Sequence, residues 1–388
     1  LAGTIAVFES LVCVIHIFND KKTGENMSFG HPHTRRFFTS LFAGLGIAAS
    51  ALADEPLKTC FLYSNPIGES GWTYQHELAR KELVAAVGNK ITTKYVENIA
   101  EGPDAERVIR NFVQEGCKVI FTPSFGFMEP TVKVARQAPN VIFLNGSGYK
   151  TASNLGVYNA RYYEGRYLEG VLAGAMSKKG VVGYVGAFPI PEVLQGLNAF
   201  AQGMRSVNPN AQIKLIWVNA WYDPGKERDA ANTLMKLGAD VMAYATSGVS
   251  IVTAAEEKGV YTLGYYSDMS KFGPKTNLTS IMHTWGPYYV KVIEDVLAGR
   301  WKSGNVVGGL REGMIRMAPL NPVVPADARE RFVRAERDMI EGKLHPFTGP
   351  VIDQDGKERV PAGKVLSPEE LNSMNYLVQG IDGTVPKK

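Results

Sequence analysis

Short apolar runs alternate with longer amphipathic stretches along most of the chain, a pattern that predicts strands followed by helices. Thr59 to Tyr63 reads as a buried strand, a helix follows from about Thr73 to Val87, and Ile91 to Val96 reads as the next strand. A helix over Ala105–Glu115, with Arg107, Arg110 and Gln114 on its polar side, leads to a strand at Lys118–Thr122. The helix Glu129–Gln137 is ended by Pro139, and Val141–Leu144 and Leu155–Tyr158 complete this first series of strands.

The series then begins again. Helix Tyr163–Ser177 precedes strand Val181–Val185, helix Glu192–Val207 and strand Gln212–Val218. Helix Gly225–Leu237, strand Asp240–Ala243, helix Val249–Lys258 and strand Val260–Gly264 continue it, and strand Leu278–His283 and helix Tyr288–Leu297 close it. Such alternation builds parallel sheets covered by helices on both faces. Its repetition predicts an α/β protein of two doubly wound lobes, with a central cleft where their strand ends face each other. Past Arg300 the sequence is rich in Pro and Gly, with a helix at Pro325–Glu341 and a short one opened by Ser367-Pro368-Glu369-Glu370, a capping-type start.

The first turn of this pattern is where chemistry is expected. Ser64–Arg80 carries Asn65, Glu69 and Trp72 between the first strand and its helix. In an open parallel sheet that turn lies outside the carboxyl end of the strand, where ligands bind.

Composition narrows the class. A chain of 388 residues exceeds one typical core, and 45% apolar with 21% charged residues describes a soluble globular protein. A net charge of +4, with no basic stripe interleaved with aromatics, argues against a nucleic-acid partner. From Met27 the chain has Arg35 and Arg36, an apolar run from Phe37 to Leu52, and small residues at Ala51 and Ala53. That is the pattern of a secretory signal cleaved after Ala53. Thr34-Arg35-Arg36-Phe37-Phe38 also resembles a twin-arginine export signal, although paired arginines occur in ordinary signals too. Residues 1–26 read as a non-native or mis-annotated extension; the alternative is a genuine apolar segment, Ile5–Phe18, interrupted by Glu9 and His16.

Three cysteines occur, and Cys13 lies in that extension. No cysteine directly follows the expected cleavage site, where Asp54 stands, so no point of lipid attachment is expected there. Cys60 and Cys117 read as two buried thiols, with a disulfide as the alternative in an exported protein.

Enzyme readings find little support. The segment Gly146-Ser147-Gly148-Tyr149-Lys150-Thr151 lacks phosphate-loop spacing, and no GxGxxG opens the first helix. His76-Glu77 has no second histidine at helical spacing, and the six histidines are scattered. A cofactor-dependent α/β enzyme is therefore the weaker alternative, and no cofactor or metal is expected. A transcription factor on the same fold would need a helix-turn-helix where the signal stands.

Several separated segments stand out: Gly71-Trp72, Tyr158-Asn159 before Glu169-Gly170-Val171-Leu172-Ala173-Gly174, Val182-Gly183-Tyr184-Val185-Gly186, Trp221-Tyr222-Asp223-Pro224-Gly225-Lys226, Gly238-Ala239-Asp240-Val241 and Leu278-Thr279-Ser280. Together they resemble the BMP (basic membrane protein) family of ABC-transporter substrate-binding proteins, which includes purine-nucleoside-binding lipoproteins. The similarity runs from about Lys58 to Gly342. It implies a type I periplasmic-binding-protein fold with a purine held between two lobes joined by three crossovers. One lobe is expected at 54–160 plus 286–308 and the other at 161–285 plus 309–388, after a signal peptide at 27–53. It further implies a periplasmic monomer whose partners are the permease and ATPase subunits of an ABC importer, so that it meets the membrane only through the transporter. Presentation of the ligand to a periplasmic sensor is the alternative.

On this resemblance Trp72 and Trp221 stand where the family stacks aromatics on the base, and Asp268 where it places a carboxylate that accepts from the ligand. Ser247 and Gly248 are expected to lend a hydroxyl and an amide. Glu69 and Thr73 replace the usual Asp and Asn, His283 stands where many members have a sugar-binding Lys, and Glu129 stands where an Asp is common. These exchanges fall on sugar-holding positions while the aromatics remain, so the expected ligand is a free purine base, adenine first, rather than a nucleoside. His283 is also expected to make affinity pH-dependent near pH 6 to 7.

Overall fold

The computed structural model describes residues 55–386. Cys13, the extension and the expected signal segment lie outside the described residues. Among those described, no helix is long and apolar enough to cross a membrane.

Two sheets organise the chain. The first begins with β1 (Leu57–Leu62), α1 (Gly71–Val87), β2 (Ile91–Val96), α2 (Pro103–Gln114) and β3 (Val119–Pro123). It continues with α3 (Met128–Ala135), β4 (Ile142–Gly146) and β5 (Leu155–Ala160), and α4 (Tyr162–Met176) leads out of it. The second is built from β6 (Val181–Gly186), α5 (Pro191–Val207), β7 (Gln212–Trp217), α6 (Pro224–Lys236), β8 (Val241–Tyr244), α7 (Ser250–Lys258), β9 (Tyr261–Gly264) and β10 (Asn277–His283). The chain then returns to the first layer. Helix α8 (Gly286–Leu297) packs on α1, and β11 (Asn305–Gly308) pairs in parallel with β5. It crosses back for β12 (Ile315–Met317) and α9 (Ala326–Ile340).

The six-stranded sheet runs β11-β5-β4-β3-β1-β2, with every pairing parallel. The seven-stranded sheet runs β12-β10-β9-β8-β6-β7 and ends on β15 (Ile381–Asp382); only β12 is antiparallel. Strand order reverses between β1 and β3 in one sheet and between β6 and β8 in the other. Each reversal opens a crevice at the carboxyl ends of its strands. The sequence pattern predicted β1 to β10 to within a few residues and none of the strands after Arg300. The main local difference is that α1 begins at Gly71, which puts Trp72 in the first helical turn rather than in the loop before it.

The tail after Gly342 has a structural role. Strands β13 (Val351–Ile352) and β14 (Glu358–Val360) pair, α10 (Pro368–Asn372) begins with a full capping box at Ser367, and β15 then covers β7. Asn198 of α5 fastens it, donating to the Tyr376 carbonyl at 2.8 Å and accepting the Val378 amide at 3.0 Å. Without this strand β7 would present an open edge, a template for unwanted pairing.

Cys60 and Cys117 are buried, as expected, but they are bonded to each other rather than free thiols. Adjacency decides this: β1 and β3 are parallel neighbours with Thr59 opposite Val119, so the two Cα atoms stand 6.0 Å apart. That lies within the range a disulfide spans.

The two sheets meet through their loops. Gly71, at φ +90°, lies so close to the 247 carbonyl of the other sheet's loop that a Cβ there would sit 2.4 Å from the Ser247 oxygen. A side chain at this position is excluded both by the backbone conformation and by the neighbour. Gly71→Ala is expected to hold the two sets of loops apart. Small-angle scattering of the variant should give a larger radius of gyration than the parent; superposable profiles would contradict this.

A candidate ligand slot between the two sheets

The loops at both reversals converge on one narrow slot of about 350 Å³ of atom-free space, part of it open to solvent. From the first sheet come Ser64 and Asn65 after β1, Trp72 of α1, Ser124 and Phe125 after β3, and Ser147 after β4. From the second come Ile190 and Glu192 after β6, Trp221 after β7, Ser247 after β8 and Tyr266 after β9. None of these residues is Lys or Arg. Two of them hold positive φ without being glycine, Ser147 at 61° and Tyr266 at 68°. An L residue tolerates that region poorly, and such positions persist where the surroundings enforce them.

Trp72 is held rigidly. Its Nε1 donates to the Pro123 carbonyl at 2.7 Å, and its ring meets Tyr266, Tyr162, His76, His283 and Trp285 edge to face at 4.7–6.3 Å. Edge-to-face geometry is the favoured arrangement for such rings. Trp221 is partly buried, 5.1 Å from the Phe188 ring, and its carbonyl accepts the Ser247 amide at 2.8 Å. One bond thus ties together two loops that line the slot.

Behind them stands Glu227, a fully buried carboxylate in the first turn of α6. It accepts the Asp223 amide at 3.2 Å, and a Cβ on Gly248 would lie 2.0 Å from its Oε2. Gly248 is therefore explained by close packing over Glu227. It lines an outer cavity at the mouth of the slot rather than the slot itself. Burial pushes the Glu227 carboxyl up to about 7 against the pull of neighbouring amides. On the other side Arg166 lies buried under Tyr265, 3.6 Å from its ring centre, and donates to the Tyr244 carbonyl and to Glu169. It props the loops that deliver Ser247 and Tyr266.

The ionisable carboxyl within the slot is Glu192, in the first turn of α5. Its Oε2 accepts from the Asn159 side-chain amide at 3.2 Å. Burial raises this carboxyl to about 7, opposed by hydrogen bonds from Ser147 and Asn159. Near neutral pH it is thus divided between an acid that can donate and an anion that only accepts.

The structure brings together Asn65, Trp72, Trp221 and Ser247 of the residues expected from sequence. It does not bring the others there. Asp268 is exposed and its Oδ1 accepts the Ser270 amide at 2.9 Å, a local turn contact. The bend at Tyr266 turns the tyrosine into the slot and leaves Asp268 outside. Glu69 is exposed and paired with Lys271 at 2.9 Å, and Glu129 is exposed and paired with Lys150. His283 lies behind Trp72, stacked on Tyr162 at 4.6 Å. Burial lowers it well below its ordinary value, so it is neutral around pH 7 and does not provide the titration expected of it.

Glu192 and Tyr266 were missed. Glu192 does carry a sequence signal: it follows Pro191 in the first turn of the helix after the strand that opens the second series, the counterpart of Ser64–Arg80 in the first. Tyr266 carries none, because only its backbone bend directs it inward.

Known proteins place this geometry in context. Residues 57–342 match the family model of PnrA-like ABC transporter substrate-binding proteins, Bmp. A purine-binding protein of Brucella abortus is 48% identical over 345 residues, covering 89% of this chain and 98% of its own. A Haloferax volcanii protein, named as a candidate ABC transporter glucose-binding protein, is 34% identical, covering 86% of this chain and 82% of its own. Among solved structures, an ABC transporter solute-binding protein of Conexibacter woesei superposes with a TM-score of 0.60 at 24% identity, covering 74% of this chain and 98% of its own. The two-sheet architecture is thus the type I periplasmic-binding-protein fold. The matched family is one of solute-binding proteins of ABC transporters rather than enzymes, which implies a small-molecule ligand and transporter partners. The chain belongs to the PnrA-like (Bmp) family of ABC-transporter substrate-binding proteins.

Proposed function

We propose that the protein captures a free purine base, adenine first, in this slot and delivers it from the periplasm to the permease of an ABC importer. The observation that carries the reading is the pairing of aromatic walls from both sheets with one carboxyl, Glu192, and no basic residue along the slot. Flat aromatic walls favour a flat π-system, and base stacking is worth about 1–3 kcal/mol per base. The missing cations disfavour phosphorylated ligands. The purine-binding relative points the same way.

Glu192 supports adenine among the purines. Adenine's edges set a donor beside an acceptor, as N6–H₂ stands beside N7. A neutral carboxyl presents the matching pair, an O–H and a C=O. Guanine's N1–H and N2–H₂ side offers two donors and suits the anion instead. A carboxyl poised at about 7 is available in its neutral form for adenine at and below neutral pH. The ligand would gain Trp72 from one sheet and Trp221 from the other only with the cleft closed, so binding favours that state by its differential affinity. A transporter would then recognise the closed form.

Calorimetry is expected to show adenine binding more tightly than adenosine or glucose; tighter binding of adenosine would overturn the free-base reading. Trp72→Ala and Trp221→Ala should each weaken adenine binding by about 1–3 kcal/mol, and parental affinity in both would contradict the clamp.

The pH dependence has a definite sign. Adenine affinity should fall as pH rises through about 7, approaching roughly tenfold per unit well above it. Glu192→Gln, which keeps a donor and an acceptor, should retain binding and flatten the profile. Because folding raises this carboxyl above its ordinary value of 4.5, ligand-free stability should also fall as pH rises from about 4.5 to about 7. Melting curves of the parent and Glu192→Gln between those limits check this; equal slopes would assign the loss to Glu227 and Glu169, which burial raises in the same direction.

A further inference from the structure

The amino end of α1 is capped from the other lobe. Its N-cap residue, Ser70, makes no side-chain capping bond, so the first amides of the helix have no local acceptor there. The Gly71 amide instead donates to Ser267 Oγ at 3.0 Å, across 196 residues of chain. The Gln75 side-chain amide donates to the same oxygen at 2.8 Å. Ser267 follows β9 of the second sheet and is buried, while Gly71 and Gln75 belong to the first turns of a helix of the first sheet. One hydroxyl oxygen therefore accepts two donors across the cleft.

Its position couples it to the slot without placing it there. Ser267 is not a slot-lining residue, whereas Tyr266 immediately before it is, and so is Trp72 immediately after Gly71. Each strand of this contact thus adjoins an aromatic wall. An opening of the cleft would remove both bonds, expose the first amide of α1 to water and separate Trp72 from Tyr266, whose rings stand 5.6 Å apart. The neighbouring cross-cleft pair, Lys271 with Glu69, has side chains that are half or more exposed, so it contributes little.

We propose that Ser267 is a positioning residue for ligand capture, an inter-lobe helix cap that holds the closed state and sets the dwell time of the ligand. The assignment of the ligand as a purine rests on the reading above; the cap itself does not. Removing the hydroxyl should act on closure, which stabilises the complex after encounter, and leave the encounter with the open cleft unchanged.

The test combines adenine kinetics with a distance measurement that needs no ligand. Ser267→Ala is expected to raise the adenine dissociation rate on the order of tenfold, with the association rate unchanged. Gln75→Ala, which removes one donor on the partly exposed side of α1, should give a smaller increase. The double variant should fall short of the product of the two, because both substitutions break the same bond. Lys271→Ala should leave the rates unaltered. In parallel, paired spin labels, one on each lobe, should report a longer mean distance in ligand-free Ser267→Ala than in the parent. Should no purine bind any form of the protein, the purine reading fails and the distance shift alone still decides the cap. Parental dissociation rates together with a parental distance distribution, in variants that melt as the parent does, would overturn it. So would a strictly multiplicative double variant.

Discussion

The structure depends on how closely the amino end of α1 approaches the loops of the second sheet. Gly71 leaves no room for a Cβ against the Ser247 carbonyl, and its amide is already committed to Ser267. That contact bears on the width of the slot, because Ser247 and Trp72, the residue after Gly71, both line it. The remaining site residues take their places around this contact. Pro123 fixes the Trp72 ring, Glu227 and the Trp221 carbonyl fix the loops opposite, and Arg166 supports the turn that carries Tyr266.

Topology explains why such a contact exists. Each sheet reverses strand order next to its first strand, and the loops that diverge there leave a crevice. Setting two such crevices face to face gives a site with donors and aromatics from both halves and little continuous backbone between them. The tail after Gly342 lies outside this arrangement, and covering β7 is what it does for the fold.

Much of this was legible from the chain itself. Periodicity identified the strands and helices up to Arg300, the turn after Thr59–Tyr63 identified Asn65 and Trp72, and the family resemblance added Trp221 and Ser247. What escaped depends on three-dimensional adjacency or on backbone bends. The Cys60–Cys117 bond follows from β1 and β3 being neighbours, a fact of strand order rather than of spacing. Asp268 reads as the acid of its loop, yet the positive φ at Tyr266 turns the tyrosine inward and leaves the acid outside. His283 looks exposed at a strand end but is covered by Trp72. Glu192 was visible only as the opening of a helix, and its chemistry comes from its partly buried place in the slot beside Asn159.

The central claim is that one slot, walled by aromatics of both sheets and edged by Glu192, holds a neutral flat base in the closed protein. A crystal structure with adenine tests it most directly. The account predicts the base lying between the Trp72 and Trp221 sides of the slot with a donor–acceptor edge on Glu192, and the Gly71–Ser267 contact intact. Adenine bound elsewhere, or lying in the slot with Glu192 turned away from it, would contradict the account.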